Sequence, residues 1–144
     1  MTIRDLARKD VTTIHRDQTA GNLATLLKEA GVGCAVVEDD GRPVGIATDR
    51  DLVLEVLAPH RDPRDVTVGE IMTPDPETVH EDAGVFETTE RMAEAAVRRI
   101  PVVDEVGTLV GIITLDDLLV TFTTELKDLA GVVVAESPPG AGGH

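Results

Sequence analysis

Apolar and polar positions along this chain follow one pattern, written twice. Leu23, Leu26, Leu27 and Ala30 recur at three and four residues, which predicts an amphipathic helix. A continuous apolar run bounded by acids follows, Cys34-Ala35-Val36-Val37. A turn carrying Gly41 joins it to Val44-Gly45-Ile46-Ala47, so the two runs predict a hairpin. A last helix begins after Thr48. The order then returns: Phe86, Met92 and Ala96 on a less regular helix, Ile100-Pro101-Val102-Val103, a turn at Gly107, Leu109 to Ile113, and a helix after Thr114. Each copy opens with a short segment, TIRDLA or TVGEIM, and a brief strand, TTI or ETV.

Sliding the chain on itself makes the repeat explicit. An offset of 65 places Thr13-Ile14-His15 on Thr78-Val79-His80. With one extra residue set beyond Val32/Val97 the offset becomes 66, and Val44-Gly45-Ile46 falls on Val110-Gly111-Ile112. In all, 17 of 56 aligned positions are identical. The expected fold class is α/β (α+β), two β-α-β-β-α units packed with pseudo-twofold symmetry, since one such small sheet needs a partner surface. The predicted boundaries are 1–58 for the first unit, 59–66 for a Pro- and charge-rich linker, 67–130 for the second, and 131–144 for a flexible tail. From Ser137 the tail reads SPPGAGGH, without Val, Ile, Leu, Met or Phe, and is expected to be disordered.

The segment closing each copy, Gly45-Ile46-Ala47-Thr48-Asp49-Arg50-Asp51-Leu52 and Gly111-Ile112-Ile113-Thr114-Leu115-Asp116-Asp117-Leu118, resembles the signature of CBS domains. Ile100-Pro101-Val102-Val103-Asp104 and Glu70-Ile71-Met72-Thr73 resemble it too, and the likeness covers residues 2 to about 130. It implies a tandem pair, or Bateman module, that binds adenosyl ligands in clefts between the copies. Copy one departs at Ala7, where Met is usual, at Cys34-Ala35, where an apolar-Pro pair is usual, and at Gly33, where copy two has Arg.

Thr114 ends a strand and Asp117 lies in the first turn of the next helix. A carboxylate there accepts hydrogen bonds from two vicinal ribose hydroxyls, and the Thr hydroxyl both donates and accepts. The same pair also serves as a helix cap. Arg98 and Arg99 are adjacent cations that either hold phosphate oxygens or sit as solvated surface charge. By the family's cross-copy arrangement, the resemblance implies one cleft with Thr114, Asp117, Arg98, Arg99 and Ile113 facing Thr12, Thr13, Val32, Gly33, Cys34 and Ala35. It implies a second with Thr48, Asp51, Arg50 and Ala47 facing Glu77, Thr78, Ile100 and Pro101. Only the first owns an arginine pair by this reading, so it is expected to prefer phosphate-bearing ligands.

Composition narrows the function further. The 144 residues carry 13 basic and 27 acidic side chains, a net charge of −14, and two Phe as the only aromatics. That field repels nucleic acid and anionic membranes, and aromatic stacking of single strands is nearly excluded. One cysteine rules out an internal disulfide and suits a reducing compartment; with no apolar run of membrane length, the expected location is cytoplasmic. Cys34 reads as a small buried core residue rather than a redox handle. His15 and His80 are equivalent but lack a second ligand at metal spacing, so they read as surface residues after a strand. No nucleophile-base set or phosphate loop appears. The sequence therefore predicts a non-enzymatic regulator without metal or covalent cofactor. Its effector is an adenosyl ligand, AMP, ADP or ATP foremost. The chain is expected to be a homodimer acting in trans on an effector protein. The alternative is a dimeric scaffold or stress protein with decayed clefts.

Overall fold

The computed structural model describes residues 1–136, so the tail expected to be disordered from Ser137 lies outside the described residues. The first half contains α1 (Ile3–Leu6), β1 (Thr13–His15), α2 (Ala20–Ala30), β2 (Cys34–Asp39), β3 (Arg42–Thr48) and α3 (Asp49–Leu52), which runs into a π-helical turn (Val53–Leu57). The second contains α4 (Val68–Ile71), β4 (Thr73–Pro74), β5 (Val79–His80), α5 (Val85–Ala95), β6 (Arg99–Val103), β7 (Leu109–Thr114) and α6 (Leu115–Glu136). Each half holds the expected parallel β1–β2 or β5–β6 pair and the antiparallel hairpin. The fold is mixed α/β with two sheets and two aliphatic cores. Helix α6 runs six residues past the boundary drawn at 130.

The opening segments do not stay with their own copies. Ile3 is fully buried in the second core, with Leu6 and Ala7 packed against it, while Val68 and Ile71 are buried in the first. Arg8 pairs with Ile112 of β7 through two backbone hydrogen bonds of 2.9 Å, and β4 pairs with β3. Each head strand thus crosses the other copy's hairpin at a glycine. A Cβ on Gly111 would lie 2.9 Å from the Arg8 carbonyl oxygen, and one on Gly45 would overlap Met72 Sδ and lie 3.0 Å from the Thr73 carbonyl oxygen. Only a residue without a side chain permits that approach. Ala7 stands over Gly111 where Met72 stands over Gly45, so the departure at Ala7 falls at this crossing.

Strand register relocates the inserted residue. Cys34 pairs with Thr48 and Arg99 with Thr114; Ile14 pairs with Val37 and Val79 with Val102. The offset is therefore still 65 along β2 and β6, and the extra residue lies in the second hairpin turn, past the irregularity between Val102 and Val103. Gly33-Cys34 is thus the structural counterpart of Arg98-Arg99, and Ala35-Val36 that of Ile100-Pro101. The sequence alignment missed this because both strands are uninterrupted apolar runs, in which a one-residue slip leaves hydrophobicity unchanged.

Three expected core positions are on the surface. Phe86 is 78% exposed, with its ring stacked on Phe122 at 6.3 Å. The inward face of α5 is instead Val85, Thr88 and Met92. Ala30 is exposed at the end of α2, and exposed Ala96 caps α5 in the left-handed conformation, φ 54°. No helix among the described residues is long and apolar enough to cross a membrane.

Candidate functional site

Two clefts lie where one copy's head strand and strand entry meet the other's. The first encloses about 360 Å³ and is lined by Arg8, Asp10, Val11 and Thr12, by Val32, Gly33, Cys34 and Val36, and by Arg98, Arg99, Ile112, Thr114, Leu115 and Asp116. Of the residues expected there, Thr114, Arg98, Arg99, Thr12, Val32, Gly33 and Cys34 are brought together. Ala35 and Ile113 are adjacent but face the cores, at 1% and 0% exposure, because strand residues alternate sides. Thr13, exposed, and Asp117 do not line the space, although Asp117 reaches its wall through Arg8. Cys34 is half-buried on the cleft wall rather than in the core, since it occupies the outward register position beside Thr48.

The second cleft, about 420 Å³, is lined by Ile46, Thr73, Pro74, Asp75, Pro76, Glu77, Ala95, Val97, Arg98 and Arg99. Of its expected residues only Glu77 lines it. Ala47, Ile100 and Pro101 are buried, and Thr78 is half-buried with its carbonyl accepting from Arg91. Thr48 and Asp51 form a reciprocal cap: the Thr48 N–H donates to the Asp51 carboxylate at 2.9 Å and the Asp51 N–H to the Thr48 hydroxyl at 3.2 Å. Arg50 is exposed outside the lining. Arg98 and Arg99 line both clefts, so the arginine pair is shared and does not belong to the first cleft alone. Neither guanidinium has a hydrogen-bond or ion-pair partner among the described residues.

The acid of the first cleft is engaged. Arg8 donates to Asp117 through Nε and Nη2, the shortest contact being 2.8 Å, and the Asp117 N–H donates to the Thr114 hydroxyl at 3.1 Å. Asp117 is 17% exposed and Arg8 67%. Burial pushes the Asp117 carboxyl up, but hydrogen bonds from Arg8 and Thr114 outweigh it and hold the group below the ordinary carboxylate range. Its partner's guanidinium is raised by the same contact. The counterpart of Arg8 is Thr73, so Asp51 has no such cation. Sequence reasoning missed Arg8 because it lies 109 residues from Asp117; the Arg8-Lys9 pair in an acidic chain was the available signal.

The histidines play matching local roles. His15 Nδ1 accepts from the Asp17 N–H at 3.1 Å and His80 Nδ1 from the Asp82 N–H at 3.0 Å, each closing a turn. No cluster of three or more His, Cys, Asp or Glu that could hold a metal occurs among the described residues.

Comparison with known proteins agrees with this architecture. The family model described as CBS domain matches residues 3–58 and 68–123. An uncharacterised Methanopyrus kandleri protein is 38% identical over 120 residues, 83% of this chain; the chain spans 61% of that relative's length. The crystal structure of Hypoxic Response Protein I with two coordinated zinc ions superposes with a TM-score of 0.73 at 35% identity, covering 83% of this chain and 97% of that one. The CBS domain pair of protein MJ0100, in complex with 5′-methylthioadenosine and S-adenosylmethionine, gives 0.72 at 29% identity, covering 85% and 99%. CBSX2 in complex with AMP gives 0.72 at 27%, covering 88% and 98%. With both sheets, both aliphatic cores and both halves of the repeat accounted for, the chain belongs to the CBS domain family and carries one such domain in each half.

Proposed function

We propose that this chain is a non-enzymatic sensor that binds an adenosyl ligand in the clefts between its two CBS domains and acts on a partner protein in trans. One observation carries the reading. In a chain of net charge −14, two arginines with no partner among the described residues stand where both clefts open, beside Thr114 and the Val32–Cys34 wall. Unpaired cations in a strongly acidic protein favour an anionic ligand, and an apolar wall with a few convergent polar groups suits a base and ribose. The first cleft's volume is in the range of roughly 300–1,000 Å³ that small-ligand sites occupy. Adenosyl ligands are the class named for the related pairs, AMP among them.

The experiment is native mass spectrometry of the purified chain, followed by thermal shifts with AMP, ATP, S-adenosylmethionine and NAD. A nucleoside-sized adduct and a ligand-specific rise in melting temperature support sensing. No adduct and no shift with any of the four would favour a ligand-free scaffold.

A further inference from the structure

A third cavity lies on the other side of the first head strand. It encloses about 260 Å³ and is lined by Arg4, Ala7, Lys9, Glu81, Val102 and Val110. Ala7 and Lys9 alternate with Arg8 along the strand, and Arg8 lines the first cleft. The cavity and that cleft therefore stand back to back and share no lining residue.

One small side chain leaves this space open. Ala7 and Met72 hold equivalent places, over Gly111 and Gly45. Met72 lays its Cγ and Sδ over its glycine and packs on the first core. Ala7 offers only a methyl group, so the corresponding volume in the second half stays open against buried Val102 and half-buried Val110. The rim adds charge. Arg4 is held by Glu81 and Asp82. Lys9 is exposed and has no hydrogen-bond or ion-pair partner among the described residues. Its counterpart on the other head strand is Pro74, which brings no cation.

We propose that this cavity binds a short aliphatic monocarboxylate, its hydrocarbon chain against Ala7, Val102 and Val110 and its carboxylate on the Lys9 ammonium. A free ammonium in a chain of net charge −14 favours an anion. The apolar floor favours hydrocarbon, and only a ligand with both groups uses both features. Size agrees. The volume lies below the roughly 300 Å³ at which drug-sized sites begin, and above the ~150 Å³ of an apolar cavity that takes a six-carbon ring. A second carboxylate on the ligand would meet Glu81, which selects a monoacid.

The test is titration of the 15N-labelled full chain with hexanoate into the tens of millimolar, read by amide shifts, with hexylamine as the charge-reversed control. Hexanoate is expected to give saturable shifts at Ala7, Lys9, Glu81, Val102 and Val110, with a dissociation constant on the order of millimolar, as its few non-hydrogen atoms imply. Hexylamine should bind at least about fivefold more weakly. Ala7→Met fills the space as Met72 does and should abolish the response. Lys9→Glu, at an exposed position, should weaken hexanoate about fivefold or more and leave the rest of the spectrum unchanged. Should Ala7→Met fail to fold, Lys9→Glu decides alone. No saturation at those amides, an equal response to hexylamine, or an unchanged affinity in either folded variant would overturn the assignment. Saturable shifts at Val32–Cys34 and Thr114 instead would put the acid in the first cleft and overturn it too. None of these outcomes depends on whether the clefts bind a nucleotide.

Discussion

Sharing of Arg98 and Arg99 between the clefts has a quantitative consequence. A phosphate monoester carries about −1.5 to −2 charges near neutral pH, so two bound AMP molecules would bring −3 to −4 against the two guanidiniums. The first phosphate is nearly neutralised; the second faces spent cations within a field of −14. A charge-assisted hydrogen bond contributes about 1.5–3 kcal/mol. Arg98 is exposed and Arg99 half-buried, so the lower end applies, about tenfold in affinity. Calorimetry should therefore resolve two AMP steps at least about tenfold apart, and two adenosine steps within about threefold. Replacing both arginines with Ala should weaken the first AMP step about tenfold or more and change adenosine by less than about threefold. Two equal AMP sites in the wild type, or an adenosine loss as large as that for AMP, would refute the shared-cation reasoning.

Further consequences concern single residues. Arg8→Ala frees the Asp117 carboxylate for ribose hydroxyls; since exposed ion pairs contribute about 0.2–1 kcal/mol, adenosine should bind the first cleft up to about fivefold tighter, read by calorimetry. That pair also sets an acid limb. With the native Asp117 carboxyl lowered, its stabilisation is complete above the ordinary value near 3.9 and is lost as pH falls through the lower native one. Arg8→Ala should flatten acid denaturation below about pH 4. Gly111→Ala drives a methyl group against the Arg8 carbonyl and should cost about 1–3 kcal/mol in urea unfolding. Ala96→Gly relieves a left-handed alanine and should stabilise by up to about 1 kcal/mol, with Gly31→Ala at the counterpart position destabilising similarly.

The repeat, the hairpins and the aliphatic cores were legible because each rests on local patterning: apolar runs, Gly41 and Gly107 at turns, Thr48 and Thr114 before helices. The exchanged heads were not. Ile3 and Val68 read equally well as belonging to either copy, and only three-dimensional packing assigns them. Within the site, the segments were found but side-chain parity was not. Cys34 and Thr114 face the cleft while Ala35 and Ile113, one residue away, face the cores, and a continuous apolar strand carries no alternation to separate them. The Arg8–Asp117 pair and the sharing of Arg98 and Arg99 arise from contacts between copies, which no local pattern encodes.

Location of the ligand is tested most directly by amide chemical shifts of the 15N-labelled chain titrated with adenosine, AMP and S-adenosylmethionine. Saturable shifts concentrated at Val32–Cys34, Arg98–Arg99 and Thr114–Asp116 are expected with at least one of the three. Shifts confined to the Phe86–Phe122 face, or none with any of them at millimolar concentration, would contradict adenosyl binding between the two CBS domains.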